Sequence, residues 1–292
     1  MRALLLGAGG QLGIDLVREC RGRGHEVHAL CRDDCDIADE ESVRSEIRDF
    51  RPDWVINAAA YNHVDRAERE PENALRVNAL AVRTIAGACQ RLGATLLHFS
   101  TDYVFGGDKD TPYEEKDMPA PRSAYGVSKL AGELFVQHGC ARHYVLRVAG
   151  LYGPPGRYTK RGNFVEFVLR GCAAGVRLRI AEDSIASPTY GPAVSIRSVD
   201  ILERRIPFGL YHLGGGQAVS WFEFAGRIAR TAACPADLVA ARSLDLPFLA
   251  TRPLYSALSN KRIEKTGIEP MPGMDGSLRE YMVRRDRERP PE

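Results

Sequence analysis

Residues 123–129 read SAYGVSK and set Tyr125 four positions before Lys129. On a helix, positions i and i+4 share a face, so a phenol and an ammonium would lie one turn apart. One reading is an exposed pair on a solvated face, the commoner fate of a bare Tyr-x-x-x-Lys. The other is a proton donor whose pKa, about 10 for a free tyrosine, is lowered by a neighbouring cation. Upstream, STDYVF (100–105) closes a strand-like run and puts Ser100 and Thr101 at its carboxyl end. Ligands of open α/β sheets bind at such ends, where hydroxyls can hydrogen-bond a substrate carbonyl.

The chain around these residues alternates two periodicities. Strand-like runs at 2–8, 25–30, 54–60, 95–101 and 143–149 alternate with helical patterns at 11–21, 39–50, 72–92 and 125–138. This order predicts an α/β fold with a parallel sheet covered by helices on both faces. After Tyr152 the texture changes. A Gly-, Pro- and charge-rich loop (153–163) leads to helices near 164–175 and 221–232, with short strands between them. Residues 1–150 are therefore expected to form a dinucleotide-binding domain, with the strand near 209–215 able to rejoin its sheet. Residues 151–284 should be mainly a smaller C-terminal, substrate-binding lobe. Residues 285–292, within the charged run that starts at 283, read as a frayed tail.

GAGGQLG places Gly7, Gly10 and Gly13 three apart, between the first strand and the first helix. One glycine allows the tight bend, one lets the backbone approach a pyrophosphate, and one permits close helix–strand packing. The spacing is G-x-x-G-x-x-G, because Leu12 holds a position that is glycine in the commoner fingerprint. The context predicts a Rossmann-type doubly wound sheet in which Gly7, Gly10, Gln11, Leu12 and Gly13 hold a dinucleotide. Cys31 and Arg32 stand at the end of the second strand, where an acidic residue would select NAD. A guanidinium there can pair with a 2′-phosphate, which favours NADPH and leaves NADH open. Asp36 and Ile37 are candidates for the adenine or ribose edge. Ala58, Ala59 and Ala60 are candidates for letting a flat ligand lie against backbone.

Composition excludes several classes. The 292 residues carry 40 Lys and Arg against 38 Asp and Glu, a net charge of +2 that argues against nucleic acid as a partner. No apolar run approaches the roughly 20 residues that span a bilayer, and the N-terminal apolar run is too short for a signal peptide. The seven cysteines include no C-x-x-C, only Cys31 and Cys35 are close, and no zinc spacing is present. They read as reduced thiols of a cytoplasmic protein.

Several stretches together resemble one family. NAAAYNHVDRAE (57–68), STDYVFGG (100–107), YGVSKLAGE (125–133), GNF (162–164) and SPT (187–189) occur in order. GLYHLGG (209–215), SWFEFA (220–225) and RPLYSALSN (252–260) follow. The chain thus resembles, over nearly its whole length, the dTDP-4-dehydrorhamnose reductase family of the extended short-chain dehydrogenase/reductases. The resemblance implies that NADPH delivers hydride to the C4 ketone of a nucleoside-diphospho 4-keto-6-deoxyhexose. Tyr125 would donate the proton, and Lys129 would favour the phenolate and hold the nicotinamide ribose. Thr101 would hydrogen-bond the same ketone oxygen. Asp102, Asn163 and Arg252 join Thr101 as expected substrate contacts, Arg252 toward the diphosphate or into a structural ion pair. No metal is implied, and a homodimer stays open.

The chain departs from that pattern on the substrate side. Family members carry Arg-Thr-Ser-Trp where this chain has Arg147, Val148, Ala149 and Gly150, so an aromatic wall is missing at Gly150. Tyr255 replaces an Asn before Ser256, and DSIAS stands before Pro188 where Gln and Gly are typical. Tyr152 and Tyr255 are candidates for the missing aromatic surface. His63 and Asp65 fall near the expected substrate mouth. Three activities remain open: a ketoreductase, an epimerase or dehydratase that cycles NAD without net redox, and a non-catalytic NADP-binding subunit resembling that of methionine adenosyltransferase.

Overall fold

The computed structural model of the chain describes residues 1–157 and 162–288. Part of the expected loop, 158–161, and the last tail residues, 289–292, lie outside the described residues. The main sheet has six strands: β1 (Arg2–Leu6), β2 (Glu26–Leu30), β3 (Trp54–Asn57), β4 (Thr95–Thr101), β5 (His143–Val148) and β6 (Gly209–Leu213). All are parallel, in the order β6-β5-β4-β3-β1-β2. The longer helices are α1 (Gln11–Gly22), α2 (Glu40–Phe50), α3 (Ala81–Leu92), α4 (Ala124–Gly139), α5 (Phe164–Ala174), α6 (Gly191–Arg204), α7 (Trp221–Thr231) and α8 (Met274–Glu288).

Alternation along β1 shows why its sequence is continuously apolar. Ala3 and Leu5 enter one core with Leu12 and Leu16 of α1 and Val194, Val199 and Leu202 of α6. Leu4 and Leu6 enter the opposite core with Val43 and Ile47 of α2, Val82 and Ile85 of α3, and Val136 of α4. A strand covered on both faces has no solvent side on which to place polar residues. The sheet is doubly wound, as the alternation of periods predicts. From β1 the chain builds one way to β2 and the other way to β3, so a switch point opens between the carboxyl ends of β1 and β3.

A third core, of Tyr152, Val165, Val168, Ile180, Tyr190, Phe224, Ile228, Leu278 and Tyr281, lies beside the sheet. Short parallel pairs, 178–181 with 238–241 and 151–152 with 189–190, frame it.

Three elements differ from the sequence reading. The third strand stops at Asn57, because the Asn57 side chain accepts the Ala59 N–H at 3.1 Å and turns the chain out of the sheet. Ala58–Ala60 therefore lie beyond the strand. The region between 175 and 209, expected to hold short strands, contains the whole of α6. Its Gly191-Pro192 start reads as a turn, yet proline is well placed in a helix's first turn. The charged C-terminal run is helical to Glu288 rather than frayed, and Arg285 Nε donates to Glu166 Oε1 at 2.6 Å.

Candidate active site

The glycine turn is built on contact with the turn that follows β3. Gly7 has φ of +81°, and a Cβ there would fall 2.6 Å from the Ala59 nitrogen; one at Gly13 would fall 2.1 Å from the Gly7 carbonyl. Only glycine lets β1, α1 and the 58–60 turn approach so closely. The turn leaves the first N–H groups of α1 at the switch point, where a pyrophosphate is stabilised by free donors and the helix dipole. Gln11 opens α1, whereas Leu12 and Ile37 are buried in the cores below, so these two reach a ligand only as backing. Arg32 and Asp36 are exposed past β2, and Asp36 Oδ1 accepts the Ala38 N–H at 3.0 Å. The turn is closed to any added side chain, and the loop after Gly153 lies over it: a Cβ at Gly156 would fall 2.4 Å from the Gln11 nitrogen, and the Arg157 N–H donates to the Gly9 carbonyl at 2.8 Å.

Thr101 is the last residue of β4, and α4 crosses beside it. Ser123 caps α4 by accepting the Gly126 N–H at 3.1 Å. A Cβ at Gly126 would lie 2.3 Å from the Tyr103 carbonyl, so the helix meets the strand end at glycine distance. That approach places the Tyr125 phenol beside Thr101. One turn on, Lys129 is 3% exposed, and its Nζ donates to the Phe99 carbonyl at 2.6 Å. The i and i+4 face therefore points into the sheet edge, and the exposed-pair reading fails.

Burial sets the titration of this group. It pushes the Tyr125 phenol well above its usual range, with Thr101 opposing, so the lowering by Lys129 expected from the sequence is not found: burial outweighs it. It pulls Lys129 down to about 8, with the charge of Glu133 opposing. Glu133, one further turn along α4, takes the Ser100 hydroxyl and a two-pronged ion pair from Arg147, at 2.8 and 2.6 Å. Glu133 went unassigned in the sequence, although its i+4 spacing from Lys129 was a usable signal.

The expected substrate contacts separate on inspection. Thr101 faces the phenol. Asp102 is 3% exposed, and its two oxygens accept from Thr101 at 3.0 Å and Ser256 at 2.6 Å. Asn163 caps α5 with its oxygen, while its Nδ2 donates to Gln11 Oε1 and the Gly153 carbonyl. It thus ties the glycine turn to the lobe. Arg252 forms a two-pronged pair with Asp65 at 3.2 and 2.9 Å and stacks over Phe248 at 3.5 Å. Burial pushes the Asp65 carboxyl up, but this pairing together with the Ala250 and Leu249 N–H donors more than offsets it and leaves it below the usual range.

Gly150 acquires an aromatic neighbour across space. It follows β5 with φ of +50°, and a Cβ there would fall 2.9 Å from Cη2 of Trp221, the first residue of α7. The indole is half-buried and edge-on to Phe164 at 4.7 Å. Tyr152 and Tyr255 do not take this place. Tyr152 is 1% exposed inside the lobe core, and Tyr255 is 8% exposed beside Ala149 and Ala257.

Comparison with known proteins agrees with this geometry. The chain is 34% identical over 286 residues to dTDP-4-dehydrorhamnose reductase of Escherichia coli, covering 91% of each chain. It is 35% identical over 284 residues to the spore coat polysaccharide biosynthesis protein SpsK of Bacillus subtilis, covering 97% of this chain and 98% of that one. The crystal structure of Bacillus anthracis dTDP-4-dehydrorhamnose reductase in complex with NADP superposes with a TM-score of 0.92, at 32% identity, covering 97% and 99%. A Thermus thermophilus UDP-glucose 4-epimerase complexed with NAD shares the fold alone, at 24% identity and a TM-score of 0.81. The family described as RmlD substrate binding domain matches residues 1–286, and with the dTDP-4-dehydrorhamnose reductases at this identity the chain belongs to that family.

Proposed function

We propose that this protein is an NADPH-dependent reductase of a nucleoside-diphospho 4-keto-6-deoxyhexose, of the dTDP-4-dehydrorhamnose type, with Thr101, Tyr125 and Lys129 as its catalytic residues. The observation that carries the reading is the Tyr125 phenol beside Thr101 at the carboxyl end of β4, with Lys129 buried one turn below. When bound, the nicotinamide supplies the hydride. Gly7, Gly10, Gln11 and Gly13 would hold the pyrophosphate, Arg32 and Asp36 the adenosine end, and Ala58–Ala60 the flat middle of the cofactor.

The residues of the chain do the rest. Tyr125 is protonated at neutral pH, as a tyrosine ordinarily is, and burial raises its pKa further, so proton transfer depends on stabilising the phenolate left behind. Its proton passes from the phenol oxygen to the substrate's carbonyl oxygen as that oxygen gains charge. Lys129, poised near neutral titration, offers positive charge to the phenolate left behind. Trp221 beside Gly150 supports an aromatic wall on the sugar side, delivered by the lobe rather than by β5.

The domain division expected from the sequence is kept as part of this reading, with β6 assigned to the cofactor half. The substrate is a nucleotide sugar, and the protein is assigned to the cytoplasm. In support, all seven cysteines are free, and no helix among the described residues is long and apolar enough to cross a membrane. The test is incubation with NADPH and a panel of 4-keto-6-deoxy sugar nucleotides while the reduced nicotinamide is followed by absorbance. Consumption that vanishes in Tyr125→Phe is expected. Product turnover with no net consumption would replace the reading with an epimerase. Tight NADP binding with no turnover would replace it with a regulatory subunit.

A further inference from the structure

We propose that Ser256 and Asp102 are a positioning pair that fixes the direction of the Thr101 hydroxyl, so that Thr101 faces Tyr125 as a hydrogen-bond acceptor. The proposal rests on the reductase reading above and reassigns Asp102 from substrate contact to internal support.

A threonine hydroxyl has one proton and two lone pairs. Thr101 Oγ1 lies 3.0 Å from Asp102 Oδ1, and an ionised carboxylate only accepts, so the threonine proton points at Asp102. One lone pair takes the Tyr103 N–H at 3.2 Å. The remaining lone pair is left free on the side of the neighbouring Tyr125 phenol. While the Thr101 proton rests on Asp102, Tyr125 is the group placed to protonate a substrate carbonyl. After Tyr125 has given its proton, Thr101 can turn its own from Asp102 to the phenolate, so the carboxylate must hold it without holding it too tightly.

Ser256 sets that strength. It lies 154 residues away in sequence, on the segment whose Tyr255 bridges Ile185, and it donates to Asp102 Oδ2 at 2.6 Å. With Ser256 present, each carboxylate oxygen has a donor, and the carboxylate is sufficiently satisfied to stay ionised while buried. Without it, the buried carboxyl favours its protonated form, becomes a donor, and turns the Thr101 hydroxyl round. Burial already pushes Asp102 up to about 6, with Ser256 and then Thr101 opposing. The groups that face this cluster are Tyr103 and Tyr125, with Arg252 and Asp65 behind Tyr103; Lys129 lies behind Tyr125, one turn along α4.

The experiment compares wild type, Ser256→Ala and Ser256→Thr in two measurements. In steady-state reduction, Ser256→Ala should lower kcat about tenfold near neutral pH, recovering as pH rises and Asp102 ionises. KM for NADPH and for the sugar nucleotide should stay within about twofold, and Ser256→Thr should restore the wild-type profile. A pH-independent loss, or a raised KM with an unshifted profile, would overturn the proposal in favour of a structural or substrate-contact role. The second measurement needs no substrate: titration of the Asp102 carboxyl by NMR in protein labelled with 13C-aspartate. Its midpoint should move up in Ser256→Ala and return in Ser256→Thr; an unmoved midpoint overturns the pair whatever the enzyme reduces. If wild type reduces no ketosugar while the midpoint moves, the reductase reading fails and the Ser256–Asp102–Thr101 coupling stands.

Discussion

The two ligand-facing edges of this sheet follow opposite rules. At the end of β1 the site is backbone: Gly7, Gly13 and the 58–60 turn meet at distances that leave no room for a side chain. At the end of β4 the site is a buried polar network of Thr101, Asp102, Tyr125, Lys129 and Ser256. The first recognises shape and the fixed partial charge of a helix end, so it should ignore pH and fail on adding one carbon. The second works by where protons sit, so it should tolerate small changes of volume and respond to any change of charge.

The largest expected effect breaks the second site. Tyr125→Phe removes one oxygen and should lower kcat by about 10²–10⁴-fold, with NADPH affinity close to wild type in an equilibrium titration. Next is the first site: Gly7→Ala should raise the Kd for NADPH at least tenfold. It should also cost about 1–3 kcal/mol in urea unfolding, from the left-handed backbone and the crowding on Ala59. Both losses should be the same at pH 6 and pH 9.

Lys129 sharpens the contrast through stability. Its folded pKa of about 8 is below the ordinary lysine value, so the folded state holds the charge at a cost below pH 8. Between about 8 and 10.5 the unfolded chain binds more protons, and wild-type stability rises with pH. Lys129→Met should therefore be inactive yet more stable than wild type in urea at pH 7, by about 1–3 kcal/mol. The gap should shrink as pH rises to 10. The smallest effect is expected at Gly150→Ala. The substitution should displace the Trp221 ring and strain a residue at φ of +50°, costing about 1 kcal/mol. KM for the sugar nucleotide should rise severalfold and KM for NADPH should hold.

Much of the fold was readable because it rests on local pattern. The alternation of periods fixed the first five strands and most of the helices between them to within a few residues; the helix expected over 72–92 starts at Pro71 but passes through a wider π-turn at Arg76–Leu80 before α3. Two further exceptions have identifiable causes: Asn57 ends its strand through a side-chain hydrogen bond, and α6 hides behind Gly191-Pro192. The three proposed catalytic residues were legible, but the network behind them was not. Tyr125 and Lys129 are joined by helical spacing, and Thr101 by its place at a strand end. Ser256 carried no local signal, since its partner is 154 positions away. Arg252 read equally as a diphosphate contact or an ion-pair member, and only its geometry shows Asp65 taking both prongs.

The sequence by itself determined the doubly wound architecture, the glycine turn and the pairing of Tyr125 with Lys129 on one helix face. Each of these follows from residue type and spacing within one strand–helix unit, where geometry is fixed by the 2-residue and 3.6-residue periods. Only the tertiary structure decided which side of α4 faces the sheet, which way the Thr101 hydroxyl points, and that Trp221 stands where Gly150 leaves room. Those are contacts between segments far apart in sequence. They exist because a buried polar atom must find a partner and a close-packed interior must fill its space, and neither demand says in advance which residue will meet it.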